Sequence, residues 1–311
     1  MPLTREQLNA VVYEAFPGSG LQEVQQVSVT RYALTLSDGE QLSLHVYNTA
    51  SEASNAAAAL RKLRGEVDLP IPLPYAVETT GTLVGQPYLL TSQVNGDPLG
   101  AVLPRMSDEQ LYVVGRRLGE IIGRVHHIVV AGYGDLSDDV ARTDDEQEYM
   151  RQRVEQHIDI CVRLGLLNVQ TADEVRQWFA NNFMPVSRKP SLLHGNLGLR
   201  TILVRATASS WQLSGLIGWE HAVGWSPAWE HTVFLNVTDA PQFFGLRVGY
   251  GTAYDEQTRR TYEQVREHML LPYRMLLALQ RMHETLQMGE YAESARYRNA
   301  LLNRVRALIP M

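Results

Sequence analysis

The hydrophobic pattern of this chain changes its period once, near Asn95-Gly96-Asp97-Pro98, and that change constrains the fold more than any other feature. Before it, apolar and polar residues alternate. Tyr32 to Leu36 and Gln41 to Val46 each place every second side chain on one face, the pattern of half-buried strands. Asp38-Gly39 between them reads as a hairpin turn, because both residues tolerate positive φ. After the switch the spacing is helical. Leu111, Val114, Leu118, Ile121, Ile122 and Val125 trace one stripe along a helix predicted from Ser107 to Ile128, and Ser107 with Gln110 has the spacing of a capping box. Strands followed by helices imply an α+β fold. The expected organisation is a β-rich lobe over 1–93 and a larger helical lobe over 94–311, a size that suits two domains or one two-lobed unit.

The remaining elements follow from the same signals. Thr4–Ala15 and Ser51–Arg64 read as helices, and Pro70-Ile-Pro72-Leu-Pro74 as extended chain. A second hairpin is expected from Thr82–Val84 and Pro87–Thr91, turned at Gly85-Gln86. In the second lobe, Asp144–Leu166 and Thr171–Phe183 are predicted helices, and Thr201–Val204 and Leu213–Ile217 short strands. Thr258–Gln287 and Glu290–Ile309 are the closing helices, the first kinked at Pro272.

Charge and composition exclude several classes. Lys and Arg total 28 against 34 Asp and Glu, a net charge of -6, so nothing draws the whole chain toward nucleic acid or anionic lipid. No apolar run approaches the roughly 20 residues of a membrane span. The first residues lack an apolar signal core, and a cytoplasmic address is expected. Cys161 is alone, so it has no disulfide partner, and its apolar helical setting predicts a buried, inert thiol. His126 and His127 end the long helix, where a cation would complement the dipole. Trp219-Glu220-His221 and Trp229-Glu230-His231 repeat a triplet, but adjacent Glu and His point in different directions and do not read as a metal site. Gly249-Tyr-Gly251 lacks the rest of a dinucleotide loop and reads as a turn. Asp144–Glu148 reads as an acidic first helical turn.

Three stretches carry a family resemblance: Ser191-Leu-Leu-His-Gly-Asn196 through Val204, Leu216-Ile-Gly218-Trp-Glu220-His-Ala222 with Pro227-Ala-Trp229, and Leu118–His126 leading to Gly132-Tyr-Gly134. Together they resemble the aminoglycoside phosphotransferase and choline-kinase branch of the protein-kinase-like fold. That family reads L-H-G-D-L-x-x-x-N-I-L-V, then I-D-W-E-x-A, then G-D-P-x-x-D. The resemblance implies a two-lobed kinase-like architecture over most of the chain. It also implies where phosphoryl-transfer groups would stand: carboxylates for the metals, another for the acceptor's proton, and a cation for the phosphates.

Those positions hold other residues here. Asn196 stands at the catalytic carboxylate, and a neutral amide cannot act as a base. Thr201 stands at the metal-binding Asn, Gly218 at the main metal carboxylate, and Ser226 and Glu230 at the later acids. The phosphate-gripping cation aligns with His45 and its partner acid near Ala56, while the Val27–Arg31 turn has no glycine to approach phosphates. Gln93 and Val94 are weak nucleotide-binding candidates at the lobe junction, and His194 is expected to pin its loop. The expectation is a pseudoenzyme, with no cofactor, that binds a small molecule or protein partner in its cleft or on a surface. One alternative is an ATP- and Mg²⁺-dependent kinase of a hydroxylated or amine-bearing substrate, its metal site rebuilt from Glu220, Glu230 and Thr201. Another is a structural subunit with a closed cleft.

Overall fold

Thr4 and Gln7 exchange hydrogen bonds to start the first helix, α1 (Arg5–Ala15), as their spacing predicts. In this computed structural model the described residues are 2–137, 141–185, 189–208, 210–258 and 270–307. The first lobe carries β1 (Leu21–Gln26), β2 (Arg31–Leu36), β3 (Gln41–Val46), α2 (Ala50–Leu63), β4 (Pro74–Glu78) and β5 (Tyr88–Ser92). Its strands form one antiparallel sheet in the order β1-β2-β3-β5-β4. Gly39, at φ +89°, makes the predicted turn between β2 and β3. Leu34, Leu36, Leu42 and Leu44 pack on Leu8, Val11 and Val12 of α1. The alternation that buries those residues turns Arg31, Ser43, His45 and Thr91 to the opposite face, which roofs a cleft between the lobes.

The second hairpin is corrected. The strand beside β5 is Pro74–Glu78, and Thr82–Val84 lies in a turn. β4 is an edge strand, where a missing proline N–H leaves no ladder bond unmade. The other edge, β1, is polar on both faces and carries no alternation to read.

The second lobe contains β6 (Asp97–Pro98), α3 (Leu99–Val102), α4 (Asp108–Val125), β7 (Gly134–Asp135), α5 (Glu146–Arg163), α6 (Val169–Asn182), β8 (Ser191–Leu193), β9 (Ile202–Ala206), β10 (Trp211–Leu216), β11 (Val223–Trp225), α7 (Pro227–Thr238), α8 (Phe244–Thr258), α9 (Leu271–Gln287) and α10 (Tyr291–Ala307). Two small sheets, β10-β9-β6 and β7-β11-β8, carry the loops at the cleft floor. Ser107 and Gln110 form the predicted box at the start of α4.

Two expectations fail here. Gly249-Tyr-Gly251 is part of α8 rather than a turn. Its glycines serve packing: an added Cβ at Gly115, Gly119, Gly245 or Gly249 would lie 2.2–2.3 Å from a backbone carbonyl oxygen of the facing helix. Pro272 sits in the first turn of α9 instead of kinking a longer helix, a position where its missing N–H has no partner to lose. Residues 259–269 of that predicted helix, and 308 and 309 of the last one, lie outside the described residues. Cys161 is fully buried, and burial pushes its thiol up to about 12. Among the described residues no helix is long and apolar enough to cross a membrane.

Candidate interlobe site

The roof of the cleft is set by strand register. Arg31 on β2 lies directly opposite His45 on β3. His45 is packed at 4.0 Å from the Tyr47 ring. Burial, with Arg31 nearby, brings its pKa down to about 4, so the imidazole is neutral at pH 7. The cation at this place is Arg31, whose guanidinium reaches 3.4 Å from the Glu220 carboxylate on the floor. Gln93, Val94 and Gly218 share this upper cavity of about 250 Å³ with His45 and Ala56. Val27 and Val29, both exposed, belong to the glycine-free turn, whose two ends, Val27 and Arg31, line this cavity.

The loop after β8 is braced from below. Gly195 adopts φ +77°, and a Cβ there would meet the His221 carbonyl at 1.8 Å. His194 Nδ1 accepts the Asn196 N–H at 3.3 Å, which leaves Nε2–H to donate to Ile217 O at 2.9 Å. The imidazole thus ties the loop to the segment bearing Gly218. Glu230 on α7 accepts the backbone N–H groups of His194 (2.5 Å) and Gly195 (3.3 Å). Burial raises its carboxyl above the usual range, and those bonds oppose the shift. Ser226 caps the same helix by accepting the Ala228 N–H.

Thr201 and Gly218 interlock. The Thr201 hydroxyl lies within hydrogen-bonding distance of Asn196 O (3.2 Å) and Gly198 O (3.1 Å), and accepts the Gly198 N–H at 3.1 Å. Its methyl fills the space beside Gly218, where an added Cβ would lie 2.7 Å from Thr201 Cγ2. The divalent metal implied by the resemblance does not fit this donor set. Thr201 is engaged with backbone, Gly218 offers no ligand, Glu220 faces Arg31, and Glu230 is held by the loop it braces. Among the described residues no three His, Cys, Asp or Glu side chains cluster as a metal site.

Asn196 faces a second, lower cavity of about 450 Å³, shared with Glu220, Tyr149, Arg153, Trp225 and Trp229. Between the lobes stands a residue that sequence reasoning missed. Asn55 on α2 donates to Glu220 O (3.0 Å) and Ala222 O (2.7 Å) and accepts the Leu136 N–H (2.5 Å). Its signal was a lone amide on the inward face of an alanine-rich helix.

The other polar candidates have local roles. His126 carries no cation to the end of α4: burial lowers it to about 3, and Nδ1 pairs with the Tyr254 hydroxyl at 2.9 Å. His127 Nδ1 bonds Gly123 O at 2.7 Å. In the acidic run, Asp145 caps α5, Glu146 accepts from the Tyr273 hydroxyl at 2.6 Å, and Glu148 pairs with Arg151 at 2.7 Å.

Comparison with known proteins agrees with this architecture. Aminoglycoside phosphotransferase APH(4)-Ia, solved as a thermostable variant with ADP and hygromycin B, superposes with a TM-score of 0.68 at 13% identity, covering 98% of this chain and 100% of that one. An APH(2″) enzyme solved with GDP and kanamycin gives 0.64 at 14% identity, with 98% and 100% covered. A Ralstonia eutropha protein assigned to the aminoglycoside phosphotransferases gives 0.70 at 12% identity, with 98% and 99% covered. These likenesses establish a two-lobed, kinase-like α+β fold. Residues 21–268 match the phosphotransferase enzyme family, and the chain belongs to that family.

Proposed function

We propose that this protein is a pseudoenzyme of its family, using the interlobe cleft to bind a small molecule without transferring a phosphoryl group. The observation that carries the reading is the Thr201–Gly218 interlock. A methyl group occupies the space next to the residue that would present the main metal carboxylate. Phosphoryl transfer depends on positioning and on neutralising the triphosphate's charge. The roof offers a neutral His45, and Arg31, the cation among the described residues lining it, already faces Glu220. Asn196, at the position of the base, has no carboxylate to receive the acceptor's proton.

The test combines turnover with binding. Purified protein with Mg-ATP and kanamycin, hygromycin B or choline is expected to give no product at an enzymatic rate, and calorimetry is expected to show ATP binding, if any, unchanged by Mg²⁺. Turnover in the range of about 1–100 s⁻¹ typical of kinases, abolished by Asn196→Ala, overturns the proposal. So does ATP binding about tenfold tighter with Mg²⁺, which would make Glu220 a metal ligand freed from Arg31.

A further inference from the structure

The second lobe carries a groove of about 710 Å³ between the C-terminal half of α7, the first half of α9 and α10. Leu277 lines both this groove and the lower cavity, so α9 stands between the two. The charge of the groove is the reverse of the chain's. The chain carries -6 overall, and in the lower cavity four carboxylates stand against two arginines. Among the described residues, three arginines line the groove against one carboxylate. That carboxylate, Asp239, already faces Arg247 at 3.7 Å. Arg274, Arg296 and Arg304 are all exposed, so a ligand in the groove can reach them.

Helix geometry sets their spacing. Ser294 Oγ donates to Met282 O at 2.6 Å, which fixes the register of the antiparallel α9 and α10. Counted outward from that pair, Arg274 on α9 and Arg304 on α10 run to the same end of the groove. Neither side chain has a hydrogen-bond or ion-pair partner among the described residues. Arg296 stands about two turns back along α10, about 12 Å from Arg304 along the axis. It lies 5.1 Å over the Tyr297 ring and 2.7 Å from Glu293, an exposed and therefore weak pair. Between the two arginines of α10 sits the small, exposed Ala300. Tyr297 Oη accepts from Asn236 Nδ2 at 3.4 Å, which leaves its own O–H to donate.

From this arrangement we infer that the groove docks an acidic segment of a protein partner. Guanidinium forks match carboxylates, and the two unpaired ones at one end can grip the same acid. An extended chain advances about 3.3 Å per residue, so a second acid four residues on reaches Arg296. A single phosphate or small carboxylate cannot touch both ends. A nucleic acid suits the groove less, because Arg296 covers the Tyr297 ring on which a base would stack. A second copy of this chain has its acidic run Asp144–Glu148 spent in its own fold: Asp145 caps α5, Glu146 is buried and Glu148 pairs with Arg151. The inference goes beyond the reading of the cleft and does not depend on it.

The experiment uses the full chain at about 0.15 M salt, where charges act over about 8 Å and the groove rather than the net charge sets the outcome. By fluorescence anisotropy, labelled octaglutamate is expected to bind about tenfold or more tighter than a labelled glycine–serine octapeptide. Arg274→Gln combined with Arg304→Gln should remove that preference, and Arg296→Gln should lower it several-fold. Arg61→Gln, at an exposed and unpaired arginine near the end of α2, should leave it unchanged. The substituted side chains are exposed, so melting temperatures should hold; if the double variant melts early, the two single variants decide, each losing several-fold. Equal binding of the two peptides, a preference that survives the double variant, or one lost equally with Arg61→Gln overturns the inference. An oligothymidylate of equal length that binds tighter than octaglutamate with the same arginine dependence makes the groove a nucleic-acid site and overturns it too. So does inorganic phosphate that displaces the peptide at equal concentration, the mark of a small-anion site. A dimer in sedimentation that the double variant dissolves puts a second copy in the groove, with the same consequence.

Discussion

Placing a carboxylate at position 218 is the direct way to ask whether the cleft is a kinase site short of one side chain. The structure gives the size of the obstacle. Gly218 is buried, at φ +87° and ψ 39°, and its Cβ would lie 2.7 Å from Thr201 Cγ2 and 3.8 Å from His194 Cε1. For Gly218→Ala the left-handed backbone and the overpacked contact together cost about 2–5 kcal/mol. Gly218→Asp tolerates the backbone better but adds a buried carboxylate close in sequence to Glu220, so its loss is expected to be at least as large. Urea denaturation at constant m reads both values. Thr201→Ser removes the offending methyl and keeps the hydroxyl. The Gly218→Ala, Thr201→Ser pair should therefore recover about 1–2 kcal/mol of the alanine loss, a coupling that two independent sites would not show. A Gly218→Ala loss below about 0.5 kcal/mol, the scale of neutral surface changes, or zero coupling with Thr201→Ser, refutes the interlock. The function follows the same logic: Asn196→Asp with Gly218→Asp should remain inactive, because groups that act as a unit recover little from partial repair. A stable double variant with metal-dependent ATP hydrolysis well above the parent would end the pseudoenzyme reading.

Acid should destabilise the fold through its histidines. Burial holds His45 near 4 and His126 and His157 near 3, against about 6.5 in the unfolded chain. The unfolded state takes up their protons first, so this stability is intact above pH 6.5 and is lost as pH falls from there toward 4 and 3; a melting temperature that stays flat from pH 6.5 to 4 contradicts it. Asn55→Ala strands the Leu136 N–H and leaves the Glu220 and Ala222 carbonyls short of a donor. Its expected loss is about 2–4 kcal/mol, and a urea midpoint at the parent value would show that Asn55 does not join the lobes. Gly119→Ala gains about 1 kcal/mol of helix propensity, yet its Cβ would meet Tyr250 O at 2.3 Å. A net loss in melting temperature is expected, and a rise would mean that α4 and α8 are not in close contact.

What the sequence disclosed follows from which residues had one buried face. β2 and β3 alternate because one side packs on α1, and the capping boxes at Thr4 and Ser107 are local enough to read in four residues. α7 has no amphipathic stripe to find, since Ala228 to Phe234 are all buried. α8 looked like a turn because its glycines answer to α4, more than a hundred residues away in the chain. The site divides the same way. Asn196, Thr201 and Gly218 were legible one by one, but the methyl-to-glycine contact between Thr201 and Gly218 is tertiary. Arg31 was read as one end of a glycine-free turn, and only its register opposite His45 carries it over the cleft to Glu220. The parts that hold the loop and the parts that would do chemistry are therefore separable. His194, Gly195 and Glu230 shape the loop through backbone hydrogen bonds and close contacts that are indifferent to whether residue 196 can take a proton. Such a frame can persist after the reacting groups have gone, so this family's fold cannot by itself testify to its reaction. The testimony has to come from the few side chains that face the two cavities.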